Sequence, residues 1–238
     1  GIRHSVASRG LGDVYKRQPE ALEEDEPERV AEATKRMKLN HIVITAVARD
    51  DLKDGGAVHF QKTIEAVRFA NPKIIIEVLV PDFNDKDWAL QLVMEARPHI
   101  FNHNIETVER LTPLVRSRAK YQRSLTVLKK AKEMVQGKVA TKSGLMLGLG
   151  EREEEVFQAM DDLLEHGVTV LTMGQYLRPS VMHLPVVEYI KPERFEELRQ
   201  VALEKGFRHV DSRPLVRSSS HAADFHPEED VLEAFEDD

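Results

Sequence analysis

A short stretch with several hydrogen-bonding side chains, Phe101-Asn-His-Asn-Ile-Glu-Thr107, holds the first candidate site. If this stretch is a strand, Asn102 and Asn104 point to one face, Glu106 lies just beyond them, and His103 points away. An amide and a carboxylate placed side by side can hydrogen-bond the vicinal hydroxyls of a ribose. The alternative is that Asn104 and Glu106 only cap the helix that follows.

A glycine-rich turn in Ser143-Gly-Leu-Met-Leu-Gly-Leu-Gly-Glu151 is the second candidate. Its apolar residues are typical of a buried parallel strand, and Gly148 and Gly150 remove side chains where that strand ends. A ligand could therefore approach the backbone there. Glu151 places negative charge in the first turn of the next predicted helix. The alternative is an ordinary strand-to-helix turn that binds nothing.

A third polar group follows a β-branched strand earlier in the chain. It consists of three aspartates and a glycine pair, namely Asp50, Asp51, Asp54, Gly55 and Gly56. The carboxyl ends of parallel strands are where α/β folds build their sites. We therefore expect all three groups to follow strand ends of one sheet.

The composition excludes several classes of function. The 238 residues include no cysteine, which excludes disulfides and thiolate metal sites within them. The ten histidines show no spacing typical of metal ligands. A formal net charge of -7 argues against nucleic acid as a partner. No apolar run reaches the roughly 18 residues that a membrane-spanning helix needs, so we expect no membrane segment.

Strands and helices alternate along the chain. The patterns predict strands over 41–47, 73–80, 100–105, 143–147, 168–174 and 207–210. They predict helices over 27–38, 57–70, 86–95, 121–135, 151–166 and 192–205. This alternation predicts an α/β fold with a parallel sheet of βα units, curled as a full or partial barrel.

The two ends of the chain differ from this core. Residues 1–18 lack an apolar period, and Ser8 to Gln18 resembles a translated sequencing-library adapter, so we expect a non-native leader or, alternatively, a disordered tail. The core then covers residues 19–223. Residues 224–238 are acidic, without Lys or Arg, and are expected to be exposed or frayed.

Seven motifs in a fixed order resemble those of one enzyme family. They are Arg49-Asp-Asp-Leu-x-Asp-Gly-Gly56, Phe101-Asn-His-Asn-Ile-Glu-Thr107, Tyr121-x-Arg-Ser-Leu125, Gly144-Leu-Met-x-Gly-Leu-Gly-Glu151, Gly174-Gln-Tyr-Leu-x-Pro-Ser180, His183-Leu-Pro185 and Pro214-Leu-Val-Arg-Ser-Ser219. From about Pro19 to Ala222 the chain resembles lipoyl synthase, a radical S-adenosylmethionine enzyme with a partial (βα) barrel.

The resemblance implies insertion of sulfur at C6 and C8 of an octanoyl chain. The chain is carried on a lysine of a lipoyl carrier domain or of the glycine-cleavage H protein. One 4Fe-4S cluster cleaves S-adenosylmethionine with electrons from a donor such as ferredoxin or flavodoxin, and a second, auxiliary 4Fe-4S cluster supplies the sulfur. The implied location is the cytoplasm.

The resemblance also implies roles for individual residues. Those expected around S-adenosylmethionine are Gly55 and Gly56 at the methionine end, Arg123 at the methionine carboxylate, Asn104 and Glu106 at the ribose, and Gly148 on the adenine side. Arg217 and Ser218 match an Arg-Ser-Ser motif whose first serine is an oxygen ligand of the auxiliary cluster.

One departure from the family is large. The family carries Cys-x4-Cys-x5-Cys for the auxiliary cluster and Cys-x3-Cys-x2-Cys for the radical cluster, and this chain has neither. Iron-sulfur clusters require thiolate ligands in nearly every case. We therefore expect a polypeptide that lacks the first barrel strand and its cluster loop, binds no cluster and is inactive as written.

Two alternatives remain open. The chain could be a cluster-free homologue that binds octanoylated carrier proteins. A cofactor-independent barrel enzyme such as an aldolase is less favoured, because no lysine stands out at a strand end in an apolar setting.

Overall fold

The computed structural model describes residues 21–116 and 120–216. Six strands form one sheet in chain order: β1 (His41–Thr45), β2 (Ile75–Leu79), β3 (Ile100–Asn102), β4 (Ala140–Leu147), β5 (Val170–Gln175) and β6 (His209–Ser212). The pairings β1–β2, β2–β3, β4–β5 and β5–β6 are parallel.

Helices connect successive strands. They are α1 (Glu26–Arg36), α2 (Ala57–Ala70), α3 (Asp87–Glu95), α4 (Thr112–Val115), α5 (Tyr121–Met134), α6 (Glu153–Glu165) and α7 (Pro192–Lys205). Single 3-10 turns cover Phe83–Asp85 and Glu109–Leu111. No helix within the described ranges is long and apolar enough to cross a membrane.

The chain divides into two compact units. The β1–β3 unit contains, among described residues, 21–102 and 129–141. Alternation along β2 puts Ile76 and Val78 on one face, and both are fully buried. Helix α2 buries Phe60, Ile64 and Val67, whose spacing of three and four residues forms one face of a helix. Helix α2 packs against α1 and α3.

The β4–β6 unit contains, among described residues, 103–116, 120–128 and 142–216. Leu171 and Met173 of β5 are fully buried, and Phe195 gives α7 its main apolar contact surface. The Ser212 hydroxyl donates a 2.7 Å hydrogen bond to the Phe195 carbonyl, and α7 packs against β5 and β6. Helix α7 therefore covers β5 and β6 with an apolar layer.

The predicted fold class is confirmed: the chain is α/β, with a parallel sheet and strands in the order of an open, partial (βα) barrel. All six predicted strands exist. Most boundaries differ by one or two residues, and the largest differences are that β3 ends at Asn102 and β4 begins at Ala140, each three residues from the prediction. The short helix α4 and the turn before it were not predicted. The leader predicted at 1–18 and the tail predicted at 224–238 lie outside the described residues.

Candidate cofactor-binding site

The first candidate site lies where β3 ends. Asn102 is its last residue, and its side-chain amide donates a 2.8 Å hydrogen bond to Glu77 Oε1 within the β1–β3 unit. Both side chains are fully buried. Asn102 is therefore a core residue, and the strand that was expected to align it with Asn104 does not continue that far.

Asn104 and Glu106 lie in a tight turn rather than in a strand. Glu106 has a φ of 68°, its N–H donates to the Gly144 carbonyl at 2.9 Å, and its carbonyl accepts from the Met146 N–H at 2.8 Å. The Asn104 amide Nδ2 lies 3.4 Å from Glu106 Oε1. Neither side chain caps the turn or helix that follows, so the helix-cap alternative is wrong.

The turn is also tied to β4 by a buried hydroxyl. Ser143 Oγ donates to the His103 carbonyl at 2.9 Å and accepts from the Ile105 N–H at 3.2 Å. His103 points the other way, as alternation predicts, and its Nε2 lies 3.0 Å from Ser124 Oγ on α5. Ser124 and Ser143 are fully buried, so this end of the turn has no contact with solvent.

Gly144 provides the space that the Asn104 side chain occupies. A Cβ at Gly144 would stand 2.7 Å from Asn104 Oδ1 and 3.0 Å from Thr172 Oγ1. Both distances are shorter than a normal contact, so only glycine permits this position of the amide. Gly144 was not predicted as a site residue, although it belongs to the glycine-rich stretch.

The carboxyl group of Glu106 has a perturbed pKa. Burial raises the pKa above its usual range, while the Arg116 guanidinium and the hydrogen bond from Asn104 act in the opposite direction. When it is ionised, the carboxylate offers only acceptor oxygens, and the neighbouring amide offers both donors and an acceptor. Together they match a pair of hydroxyl groups on a ligand.

Arg116 is a site residue that the sequence did not reveal. Its Nη1 donates to the carbonyls of Asn104 and Ile105 at 2.9 and 3.4 Å, and to Ser124 Oγ at 3.1 Å. An arginine that contacts main-chain oxygens has no sequence signature, because every residue has a carbonyl.

The glycine-rich turn after β4 is covered by a later part of the chain. We call residues 187–190 the strap. A Cβ at Gly148 would collide with the Glu188 carbonyl and with the Gln175 side chain. The Gly148 carbonyl in turn accepts from the Val187 N–H at 2.9 Å. Gly148 thus makes room for the strap, and its predicted contact with adenine stays a prediction.

Two side chains hold this turn and strap together. Gln175 Nε2 donates to the carbonyls of Leu147 and Glu188 at 3.2 and 3.0 Å, and its Oε1 accepts from the Ile190 N–H at 2.8 Å. The Glu151 carboxylate accepts from the N–H groups of Gly148 and Leu149 at 2.5 and 2.9 Å. Glu151 precedes α6 and is a structural residue of the turn.

The predicted glycine pair lies in the β1–β3 unit, at the start of α2. Gly56 is the N-cap residue, with a φ of 90°, and Gly55 has a φ of 65°. Asp54 accepts hydrogen bonds from the N–H groups of Gly56 and Val58 at 3.2 and 2.9 Å. The sharp turn into α2 explains both glycines locally. Their predicted role at the methionine end stays a prediction.

Three predicted residues remain, namely Arg123, Arg217 and Ser218. Arg123 is half-buried on α5, and its predicted role is not tested. Arg217 and Ser218 lie outside the described residues. Just before them, the Val216 carbonyl lies so close to Gly174 that a Cβ at Gly174 would stand 2.7 Å from it.

The residues present do not fit an iron-sulfur cluster. The chain has no cysteine, and the part that the structure describes has no group of three or more His, Asp or Glu residues arranged to hold a metal. The Asn104–Glu106 turn does fit a ribose. It presents a partly buried amide and carboxylate side by side, and Gly144 leaves the space that the amide occupies.

Comparisons with known sequences agree with the motifs. A family model described as Radical SAM superfamily matches residues 6–163. A lipoyl synthase from Shouchella clausii (strain KSM-K16) is 56% identical over 222 residues, which cover 93% of this chain and 69% of that protein. A lipoyl synthase from Geobacillus kaustophilus (strain HTA426) is 55% identical over 204 residues, covering 86% of this chain and 68% of that protein.

Solved structures share the fold at low identity. Streptococcus suis SuiB bound to S-adenosylmethionine aligns with a TM-score of 0.64 and 10% identity, over 83% of this chain and 45% of that chain. Methylornithine synthase (PylB) aligns with a TM-score of 0.57 and 12% identity, over 91% of this chain and 72% of that chain. These two likenesses concern the fold alone.

Proposed function

We propose that this chain forms the cofactor-binding barrel of an enzyme that inserts sulfur at C6 and C8 of a carrier-bound octanoyl group. The chain belongs to the lipoyl synthase family of the radical S-adenosylmethionine superfamily. The observation that carries the proposal is the Asn104–Glu106 turn. It presents an amide and a carboxylate 3.4 Å apart directly after a parallel strand. The chemistry of those groups matches the 2' and 3' hydroxyls of an adenosyl ligand.

In this proposal the protein binds and orients S-adenosylmethionine. Asn104 and Glu106 hold the ribose, while Gly55, Gly56 and Arg123 serve the methionine end. When bound and reduced, S-adenosylmethionine supplies the hydrogen-abstracting chemistry that unactivated carbons need. The residues of this chain fix the position of the ligand and exclude water from it.

The same proposal includes an absence of clusters. The 238 residues supply no thiolate, so we propose that this polypeptide alone holds neither 4Fe-4S cluster and has no lipoyl synthase activity. Arg217 and Ser218 keep their proposed place at the auxiliary cluster of an enzyme that also contains the family's cysteine motifs. No catalytic step is assigned to the chain by itself.

Partners follow from the proposed reaction. The substrate would be an octanoylated lipoyl carrier domain or the glycine-cleavage H protein, and the electrons would come from a donor such as ferredoxin or flavodoxin. Iron-sulfur chemistry is favoured in a reducing compartment, which supports a cytoplasmic location. No nucleic acid or membrane takes part in the proposed reaction.

The test joins the missing ligands to this chain. One preparation is residues 19–238 preceded by the cysteine-bearing segment of the Shouchella clausii relative, and the other is the chain alone. Both are reconstituted with iron and sulfide without oxygen, and both are assayed on an octanoyl-lysine peptide by mass spectrometry. The intact relative is the positive control.

We expect iron and a doubly sulfurated peptide with the fused protein and neither with the chain alone. Sulfurated product from the chain alone would overturn the cluster-free part of the proposal. A fused protein with a native circular dichroism spectrum and full iron content, yet no product, would overturn the proposed reaction. If the chain alone binds an octanoylated carrier and the fused protein makes no product, the cluster-free binding module is favoured.

A further inference from the structure

The side chain that holds the Asn104–Glu106 turn in place is Arg116. We propose that Arg116 is a positioning residue, which clamps the backbone of this turn so that Asn104 and Glu106 present their side chains to the ribose of an adenosyl ligand. The ribose part of this inference rests on the proposed function above, whereas the clamp itself does not.

The turn needs an external clamp because its backbone is strained. Glu106 has a φ of 68°, in the left-handed region that a residue with a Cβ adopts at a cost in energy. No glycine lies within the stretch from Phe101 to Thr107 to relieve it. Such a conformation persists only when surrounding contacts over-determine it.

Contacts from β4 fix one side of the turn. The Glu106 N–H and carbonyl bond to the backbone of Gly144 and Met146, and Ser143 Oγ accepts from the Ile105 N–H at 3.2 Å. These bonds satisfy the amide groups of the turn. The carbonyl oxygens of Asn104 and Ile105 lie on the other side, and the Arg116 guanidinium donates to both.

The clamp is itself anchored. The Arg116 N–H donates to the Thr112 carbonyl at 2.8 Å, which ends α4 and fixes the start of the side chain. At its far end, Nη1 donates to Ser124 Oγ at 3.1 Å, and Ser124 is fully buried on α5. The guanidinium therefore links two helices to the turn. All three of these side-chain contacts are made by Nη1, whose two N–H groups are shared among the three acceptors, and the charge of the guanidinium strengthens them.

The charge of Arg116 supports the same role. Burial raises the pKa of Glu106, and the guanidinium opposes that rise. Without Arg116 the pKa of Glu106 should rise further, and a protonated carboxyl group loses acceptor capacity for ribose hydroxyls.

The first experiment measures hydrogen exchange of backbone amides in the whole chain. The variants are Arg116→Met, which removes the donors, and Arg116→Lys, which keeps the charge. Arg68→Met is the matched control, because Arg68 also donates to two consecutive carbonyls, those of Ala96 and Arg97, in the β1–β3 unit. We expect Arg116→Met to speed exchange at Ile105, Glu106 and Met146 by about tenfold or more. Arg116→Lys should speed it less, and Arg68→Met should leave it unchanged there.

The second experiment separates positioning from general support of the fold. Affinities for adenosine and 2'-deoxyadenosine are measured by calorimetry on the same proteins. We expect the native chain to prefer adenosine by about tenfold, because a charged hydrogen bond to the 2'-hydroxyl is lost in 2'-deoxyadenosine. Arg116→Met should reduce that ratio to about one, whereas loss of general stability would lower both affinities and leave their ratio unchanged.

Either measurement can overturn the inference. Unchanged exchange at Ile105 and Glu106 in Arg116→Met would show that the turn needs no clamp. A preserved adenosine preference would show that Arg116 does not position the ribose-binding side chains. If the native chain bound neither nucleoside, the proposed function would fail and with it the ribose part, while the exchange data would still decide the clamp.

Discussion

Replacing Gly148 with alanine tests the covered turn after β4 directly. Two separate penalties follow from the structure. The residue has a φ of 98°, which disfavours any Cβ, and the new methyl group would collide with the Glu188 carbonyl and the Gln175 amide. Because the carbonyl belongs to the backbone of the strap, it cannot swing aside as the tip of a side chain can.

The size of the effect can be worked out from these two penalties. A left-handed alanine costs about 1–2 kcal/mol, and the loss of unfolded-state entropy returns about 0.4–1 kcal/mol. Forcing a methyl group into filled space adds about 1–3 kcal/mol. We expect a total loss of about 1–4.6 kcal/mol, which at this chain length lowers Tm by roughly 2–18 °C.

Gly137→Ala is the control that isolates the backbone term. Gly137 has a φ of 85°, and nothing lies within 4 Å of the position where its Cβ would stand. It should lose only the backbone difference, about 0–1.6 kcal/mol. Urea unfolding of the native chain and both variants gives the three free energies. If Gly148→Ala cost no more than Gly137→Ala, the strap would not lie against Gly148 and the close approach described above would be refuted.

Three further outcomes are expected. Gly144→Ala should displace the Asn104 amide and weaken adenosine binding by about tenfold, because one hydrogen bond to the ligand would be lost. An unchanged adenosine affinity in calorimetry would contradict the role of Gly144 in leaving room for that amide. Burial, with smaller contributions from Arg68 and His41, lowers the pKa of His99 to about 4, and its Nδ1 accepts from the Ile76 N–H at 3.0 Å. Because the folded pKa lies below the unfolded value of about 6.5, the unfolded state binds more protons between these values, so stability should fall by up to roughly 3 kcal/mol as pH drops from 6.5 to 4. In His99→Gln that pH dependence should shrink, which unfolding at several pH values would show. Asp54→Ala removes the carboxylate that caps α2 and should cost about 1 kcal/mol without changing adenosine affinity; a loss near zero would contradict the cap.

The order of the elements could be predicted because it depends on local periodicity. β-branched and apolar runs such as 41–45 and 75–79 alternate with helical spacing such as that of Phe60, Ile64 and Val67. A buried parallel strand and an amphipathic helix each produce a pattern within a few residues. The boundaries were less accurate. β3 was predicted three residues too long, since nothing in Asn-His-Asn-Ile-Glu signals the left-handed backbone of Glu106.

The candidate site could be predicted only where a side chain itself does the chemistry. Asn104 and Glu106 were found because an amide and a carboxylate have recognisable uses. Arg116 was missed because its contacts are to main-chain oxygens. The close contact that requires glycine at position 148 was not predicted for a related reason: the group that fills the space is Glu188, forty residues later in the chain. Such long-range contacts leave no mark on a single sequence.

The Glu151 carboxylate has a consequence for which chemical groups this turn can bind. Glycine-rich turns between a strand and a helix commonly bind phosphate, because their free N–H groups point at the anion. Here the N–H groups of Gly148 and Leu149 already donate to Glu151, and the turn carries a negative charge instead of an empty anion site. A phosphate group at this turn would meet the Glu151 carboxylate and would not find the Gly148 and Leu149 N–H groups free. The turn therefore lacks the anion site that its glycine-rich sequence suggests.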